Sequence, residues 1–277
     1  MTRAAPGSHR GERIDAERWV QRLRELGHRA SAERTLTGGA DLVIYQHAEA
    51  AMSHAAPCVP WRIVVSHDAD AEQMSVPLRE RVWVVPPSAE QTSTDRPFDR
   101  DPFQVCVLAH LSADKNPLYA AAAARFLPLS SRIQIVHAGI ALEREMREEA
   151  QQEEGKNPRY RWLGDLPRSE ALRLLARSRL LCGPAGANAI AEAIAAGVPI
   201  VTPRMAMTVE LLGDRYPGLV NPRDPYALAT MLYRVETDSD FYGEVKAACE
   251  RLKACVDPAR ERAVWRSLLA ETIKSGD

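Results

Sequence analysis

The segment Leu180–Glu210, LLCGPAGANAIAEAIAAGVPIVTPRMAMTVE, constrains this chain more than any other. A short apolar run ends in a Gly/Pro/Ala loop. An alanine-rich amphipathic stretch follows, with Glu192 as its acidic residue, and Gly197 closes it. VPIVT then reads as a buried strand. Strand, loop, helix and strand in that order make one step of a parallel sheet. Small residues stand where a helix N-terminus could meet an anion, and a carboxylate follows about one turn into the helix. Amides for phosphate and a carboxylate for sugar hydroxyls would suit a phosphorylated ribose. A second reading stays open: a packing turn whose small residues only let helix and sheet approach.

Composition narrows the classes. The 277 residues are 45% hydrophobic and 26% charged, enough for a buried core in one large or two modest domains. A formal net charge of −1 and the lack of a basic stripe argue against a nucleic-acid partner. No run approaches the ~18 apolar residues of a membrane span. The start carries Arg3 and Arg10 but no apolar core of a secretory signal. Five scattered cysteines, Cys58, Cys106, Cys182, Cys249 and Cys255, form no C-x-x-C. They read as reduced cytosolic thiols, with no zinc site.

Alternating periods give the organisation. Glu12–Gly27 reads as a helix, with Ile14, Trp19, Leu23 and Leu26 at helical spacing. Asp41–Tyr45, Arg62–Val65 and Val82–Val85 read as strands. Gln91–Pro102, polar and with two prolines, reads as a linker. A second series follows: strand Phe103–Leu108, helix Pro117–Leu127, strand Ile133–His137, helix Leu142–Gln152, strand Tyr160–Leu163, helix Arg168–Ser178, strand Leu180–Cys182 and strand Val198–Val201. Helices near Tyr226–Glu236 and Phe241–Ala254 complete it. Strands alternating with helices predict doubly wound parallel sheets. The expected domains are residues 1–97, which are short for one, and 98–277.

In such sheets ligands bind at the carboxyl ends of the strands. After FQVCVL come His110, Ser112, Asp114 and Lys115. Lys115 could place a point charge on a diphosphate; the alternative is a solvated surface lysine. After IQIVH comes Ala138-Gly139, a tight turn bringing backbone close to a ligand. After RWLG comes Asp165-Leu166-Pro167, a loop that could touch a base. Together these strand ends favour a nucleotide site.

The order HLSADKNP, IVHAG, NPRYRWLGDLP, ARSRLL, GANAIAEAIAAGVPIV and a later PG resembles the donor half of GT-B glycosyltransferases of the large retaining, sucrose-synthase-like group. Within it the chain looks closest to the selenosugar synthases of selenoneine biosynthesis. RYRWLG, ARSRLL, GAN followed by EAIAAGVP, and LLGDRYPG carry that likeness. In the front half AERWVQRLRELGHR and PGS add to it. The resemblance implies a metal-independent transfer of an N-acetylhexosamine from UDP onto selenophosphate, with no cofactor. Lys115 matches the lysine on the donor diphosphate. His110 matches a position that is arginine across much of the wider group. Gly186, Ala187 and Asn188 match the loop whose amides face the diphosphate. Glu192 matches the glutamate that holds the ribose hydroxyls; the alternative is a carboxylate kept for its favourable place in the helix dipole.

Departures accompany the match. The first glutamate of the family's E-x7-E signature falls on Pro184, eight residues before Glu192. The loop there is shorter than in the relatives. A first strand is expected before Pro6-Gly7-Ser8 and is not seen. A helix–strand unit between Asp70 and Arg81 is missing too. The front half would thus be an abridged Rossmann-like domain with an unpaired sheet edge, which a second copy or a partner chain would cover.

For an anionic acceptor the front half offers Gly7–Arg13, a Gly/Ser/Arg loop entering a helix. Arg10 and Arg13 could clamp a phosphate-like group there, or the loop is a frayed terminus. His47, just past DLVIYQ, could hydrogen-bond the acceptor or the departing group; otherwise it is a strand-end histidine in water. His67 and His137 read as structural, and Trp19, Trp162 and Trp265 as core. The expectation is a GT-B-like α/β glycosyltransferase of the cytoplasm. Its rival is a degenerate relative acting as a binding subunit.

Overall fold

The computed structural model describes residues 2–3, 10–32, 42–45, 61–66, 82–90, 102–113 and 116–274. The chain divides into two compact units, Met1–Ser88 with Pro258–Asp277, and Ala89–Asp257.

The first unit holds a parallel sheet of β1 (Thr2–Arg3), β2 (Leu42–Tyr45), β3 (Trp61–Ser66) and β4 (Val82–Val84), in that spatial order. Among the described strands this order has no reversal. One expectation needs correcting here. A first strand does precede Pro6: Thr2 pairs with Ile44 and Arg3 with Tyr45. Two residues without an apolar run leave no period to read, so only the pairing reveals them. The strand covers the Ile44–Tyr45 end of β2, which the sequence left bare.

Helix α1 (Arg10–Glu25) follows β1. It buries Ala16, Trp19, Val20 and Leu23, spaced as one helical face. Trp19 meets Trp265 of the helix Pro258–Lys274 edge-on, ring centroids 5.7 Å apart. Beside them lies Glu261, fully buried. It accepts hydrogen bonds from Arg18 Nε at 3.2 Å, Arg22 Nε at 3.4 Å and the Ser88 hydroxyl. A carboxylate can be buried only with such partners.

The second unit runs β5 (Phe103–Leu108), α2 (Tyr119–Ala124), β6 (Ile133–Ala138), α3 (Arg144–Lys156), β7 (Tyr160–Trp162), α4 (Arg168–Arg177), β8 (Leu180–Cys182), α5 (Ala187–Ala195), β9 (Ile200–Pro203), α6 (Ala206–Leu212), β10 (Leu219–Val220), α7 (Pro225–Thr237) and α8 (Ser239–Arg251). Its six strands are all parallel, in the order β10-β9-β8-β5-β6-β7. The chain winds outward from β5 to β7, then resumes on the other side of β5 with β8. The carboxyl ends of β5 and β8 therefore flank the point where the winding reverses. Open α/β sheets bind ligands at that crevice.

Helix α5 lies against this sheet. Ala189, Ile190, Ala191, Ala193, Ile194 and Ala195 are buried. Gly197 ends the helix at φ +63°, its N–H reaching Ile194 O and that of Val198 reaching Ala193 O. This Schellman closure uses Val198, so β9 starts two residues later than the apolar run VPIVT suggests.

His137 on β6 is structural, as its sequence context indicates. It is fully buried; Nε2 donates to Ala109 O at 2.8 Å and Nδ1 accepts from the Tyr160 hydroxyl at 2.9 Å. Burial pushes its pKa from 6.5 down to about 4. The unfolded chain thus takes up this proton near pH 6.5 and the folded chain only near 4. Stability should be complete above pH 6.5 and fall as pH drops toward 4, by up to about 3 kcal/mol. Thermal midpoints measured between pH 7 and 5 should decline less steeply in His137→Gln than in the parent. Equal slopes would contradict this.

Candidate functional site

The loops at the carboxyl ends of β5, β6 and β7 are laced together by backbone. Ala109 N–H donates to Ala138 O at 3.2 Å, and Leu111 N–H to Ile140 O at 2.9 Å. Gly139 N–H donates to Gly164 O at 2.8 Å, and its own carbonyl accepts from Trp162 Nε1 at 3.0 Å. A Cβ on Gly139 would lie 1.8 Å from Ala109 O. Glycine is there because the two strand ends touch backbone to backbone.

His110 joins the same seam. Its Nδ1 accepts the Ile140 N–H at 3.2 Å, which places the ring proton on Nε2 as a donor. Leu166 is half-buried in the turn between β7 and α4, after Gly164 at φ +68°.

Across the reversal point, β8 leads through Gly183 and Pro184 to Gly186, the N-cap of α5. Gly186 is exposed, and a Cβ on it would meet no protein atom. The first-turn amides of a helix have no carbonyl partner within their own helix. Ala187, Asn188 and Glu192 are the half-buried positions of α5. Asn188 and Glu192 are four apart, so they share the one face that the sheet leaves accessible.

Glu192 lies in the second turn of α5, and the first turn carries no acid. The dipole fades within the first turn, so it does not account for this carboxylate. Arg168, the first residue of α4, pairs with Glu192, its Nη2 2.7 Å from Oε1. Sequence reading gave Arg168 no role. One signal was available: a cation in a first helical turn opposes the dipole, which asks for a partner elsewhere.

Of the sequence candidates, the structure gathers His110, Gly139, Leu166, Gly186, Ala187, Asn188 and Glu192 at the carboxyl end of the second sheet. Arg10 and Arg13 begin α1 in the first unit, and their side chains are outside the described residues. Lys115 and His47 are also outside them. Among the described residues no group of His, Cys, Asp and Glu could hold a metal ion. No helix among them is long and apolar enough to cross a membrane.

A parallel α/β sheet with strand-end loops around its reversal point defines the class of doubly wound proteins. The chain matches the model of the family described as glycosyl transferases group 1 over residues 88–252, and it belongs to that family. No curated protein matches it. Its fold is that of GT-B glycosyltransferases. Anabaena Alr3699/HepE in complex with UDP and glucose is similar at a TM-score of 0.67 and 18% identity, with 85% of this chain and 78% of that one covered. A glycosyltransferase from Rickettsia africae ESF-5 reaches 0.64 at 10% identity, covering 94% and 81%. Sucrose-phosphate synthase from Thermosynechococcus elongatus reaches 0.62 at 16% identity, covering 93% and 72%.

Proposed function

We propose that this chain transfers a sugar, an N-acetylhexosamine, from a UDP carrier to a small anionic acceptor such as selenophosphate, releasing UDP, with phosphate then lost to water to give a selenosugar, or a thiosugar from the corresponding sulfur acceptor. The observation that supports it best is Glu192 on the accessible face of α5, one turn from Asn188 and beside the sheet's reversal point. In this reading Glu192 holds the ribose hydroxyls. The amides at Gly186, Ala187 and Asn188 meet the diphosphate, together with Lys115 and the Nε2 donor of His110. Gly139 holds the β5 and β6 strand ends together beside the nucleotide, and the Leu166 turn meets the base. The first unit supplies the acceptor side, with Arg10 and Arg13 as anion clamps and His47 as hydrogen-bond partner. A homodimer or a partner chain at the first unit belongs to the same reading, as does a cytoplasmic setting. The RYRWLG, ARSRLL and LLGDRYPG phrases support the selenosugar assignment.

The chemistry asked of the protein is positioning and neutralisation of the departing UDP. With fixed cations and amides meeting that charge, turnover is expected to persist in EDTA. A strict need for magnesium or manganese would contradict the assignment. Calorimetric titration with UDP and UDP-N-acetylglucosamine, followed by turnover with selenophosphate, tests the whole. Pro184 favours a second reading, since it offers no carboxylate for the transferred sugar: a relative that binds nucleotide and serves as a partner subunit. UDP binding without turnover on any acceptor would select it.

A further inference from the structure

We propose that Arg168 is a positioning residue of the donor site, its guanidinium aiming the Glu192 carboxylate at the ribose hydroxyls. The inference rests on the ribose role given to Glu192 above. Three observations carry it. The pair is close, at 2.7 Å, and Glu192's side chain is only 12% exposed while Arg168's is 42% exposed. The carboxylate is thus set into the protein and the guanidinium reaches it from the solvent side.

Arg168 also stands where helix energetics disfavour a cation, at the first position of α4. The cross-helix pair is what the position gains. Finally, the base of Arg168 is fixed. Pro167 precedes it, and Gly164 in the same turn accepts the Gly139 N–H at 2.8 Å. The laced loops of β6 and β7 therefore set where the guanidinium sits, and the guanidinium sets the carboxylate.

A carboxylate has about four acceptor directions on two oxygens. Nη2 of Arg168 beside Oε1 restrains the carboxylate, and a vicinal diol donates two hydrogen bonds to a group so held. Orientation of this kind matters because a misplaced acceptor loses both.

The test uses the full chain and isothermal titration with UDP and with 2′,3′-dideoxy-UDP, which lacks both hydroxyls. Arg168→Met should weaken UDP about tenfold, a typical charged hydrogen bond's worth, and leave the affinity for the dideoxy nucleotide unchanged. Arg168→Lys, which keeps the charge on a different head, should recover part of the loss. Equal UDP affinity in Arg168→Met and the parent overturns the proposal. So does an equal loss for both nucleotides, which would make Arg168 a direct contact to phosphate or base. Glu192→Gln separates the underlying reading: if it leaves UDP affinity intact, the ribose role itself falls, whatever Arg168 does.

Discussion

Alanine in place of Glu192 is expected to weaken UDP binding roughly ten- to a hundredfold, the range for losing a charged hydrogen bond of ~1.5–3 kcal/mol. Its melting temperature should hardly move. Alanine is the better helix former, and five neighbours in α5 are already alanine. The ion pair that is lost has an arginine partner with 42% of its side chain in solvent, so screening keeps its contribution to stability small. Lys115→Ala should show a similar loss of affinity through the diphosphate. The measurement is a calorimetric isotherm on folded variants. Unaltered UDP affinity in both would remove the donor site from this sheet.

The second large effect is on stability. Gly139→Ala places a Cβ 1.8 Å from the oxygen and 2.6 Å from the carbon of the Ala109 carbonyl, and 3.1 Å from His110 Cα. These obstacles are backbone, held by the β5–β6 ladder, and cannot swing aside. The cost should sit at or above the upper end of the ~1–3 kcal/mol that overpacking usually takes. For a unit of this size that lowers the melting temperature by roughly 6–12 °C. Gly186→Ala is the matched control, because its Cβ enters open space. It loses only a favourable cap residue, about 1 kcal/mol or less, yet should weaken UDP if backbone and diphosphate meet there. A Gly139 variant melting with the parent would mean that the strand ends part easily.

The second sheet was legible because buried parallel strands are short apolar runs separated by helical periods. FQVCVL, IQIVHA and LLC stand out for that reason. Boundaries failed where local geometry consumed residues. The helix expected from Pro117 to Leu127 contracts to Tyr119–Ala124, and Val198 is taken by a helix closure. Thr2–Arg3 was invisible since two residues carry no period. In the site, Glu192 was legible from its family pattern and its place after a small-residue loop. Arg168 was not: its place in a first helical turn asks for a partner, but that partner is 24 positions away on another helix, and one sequence does not say which residue it is.

The Trp19–Trp265 contact and the Glu261 carboxylate have a consequence for synthesis. Residues 19–85 are made well before residues 258–274, with which they share a core. Everything between them forms a contiguous unit with its own core. During translation the middle of the chain can fold while the front waits, since the indole that fills its interior and the carboxylate that gathers its arginines have not yet been made. Most chains fold from the front; here completion runs from the middle outward, and the front residues wait for the centre to be translated.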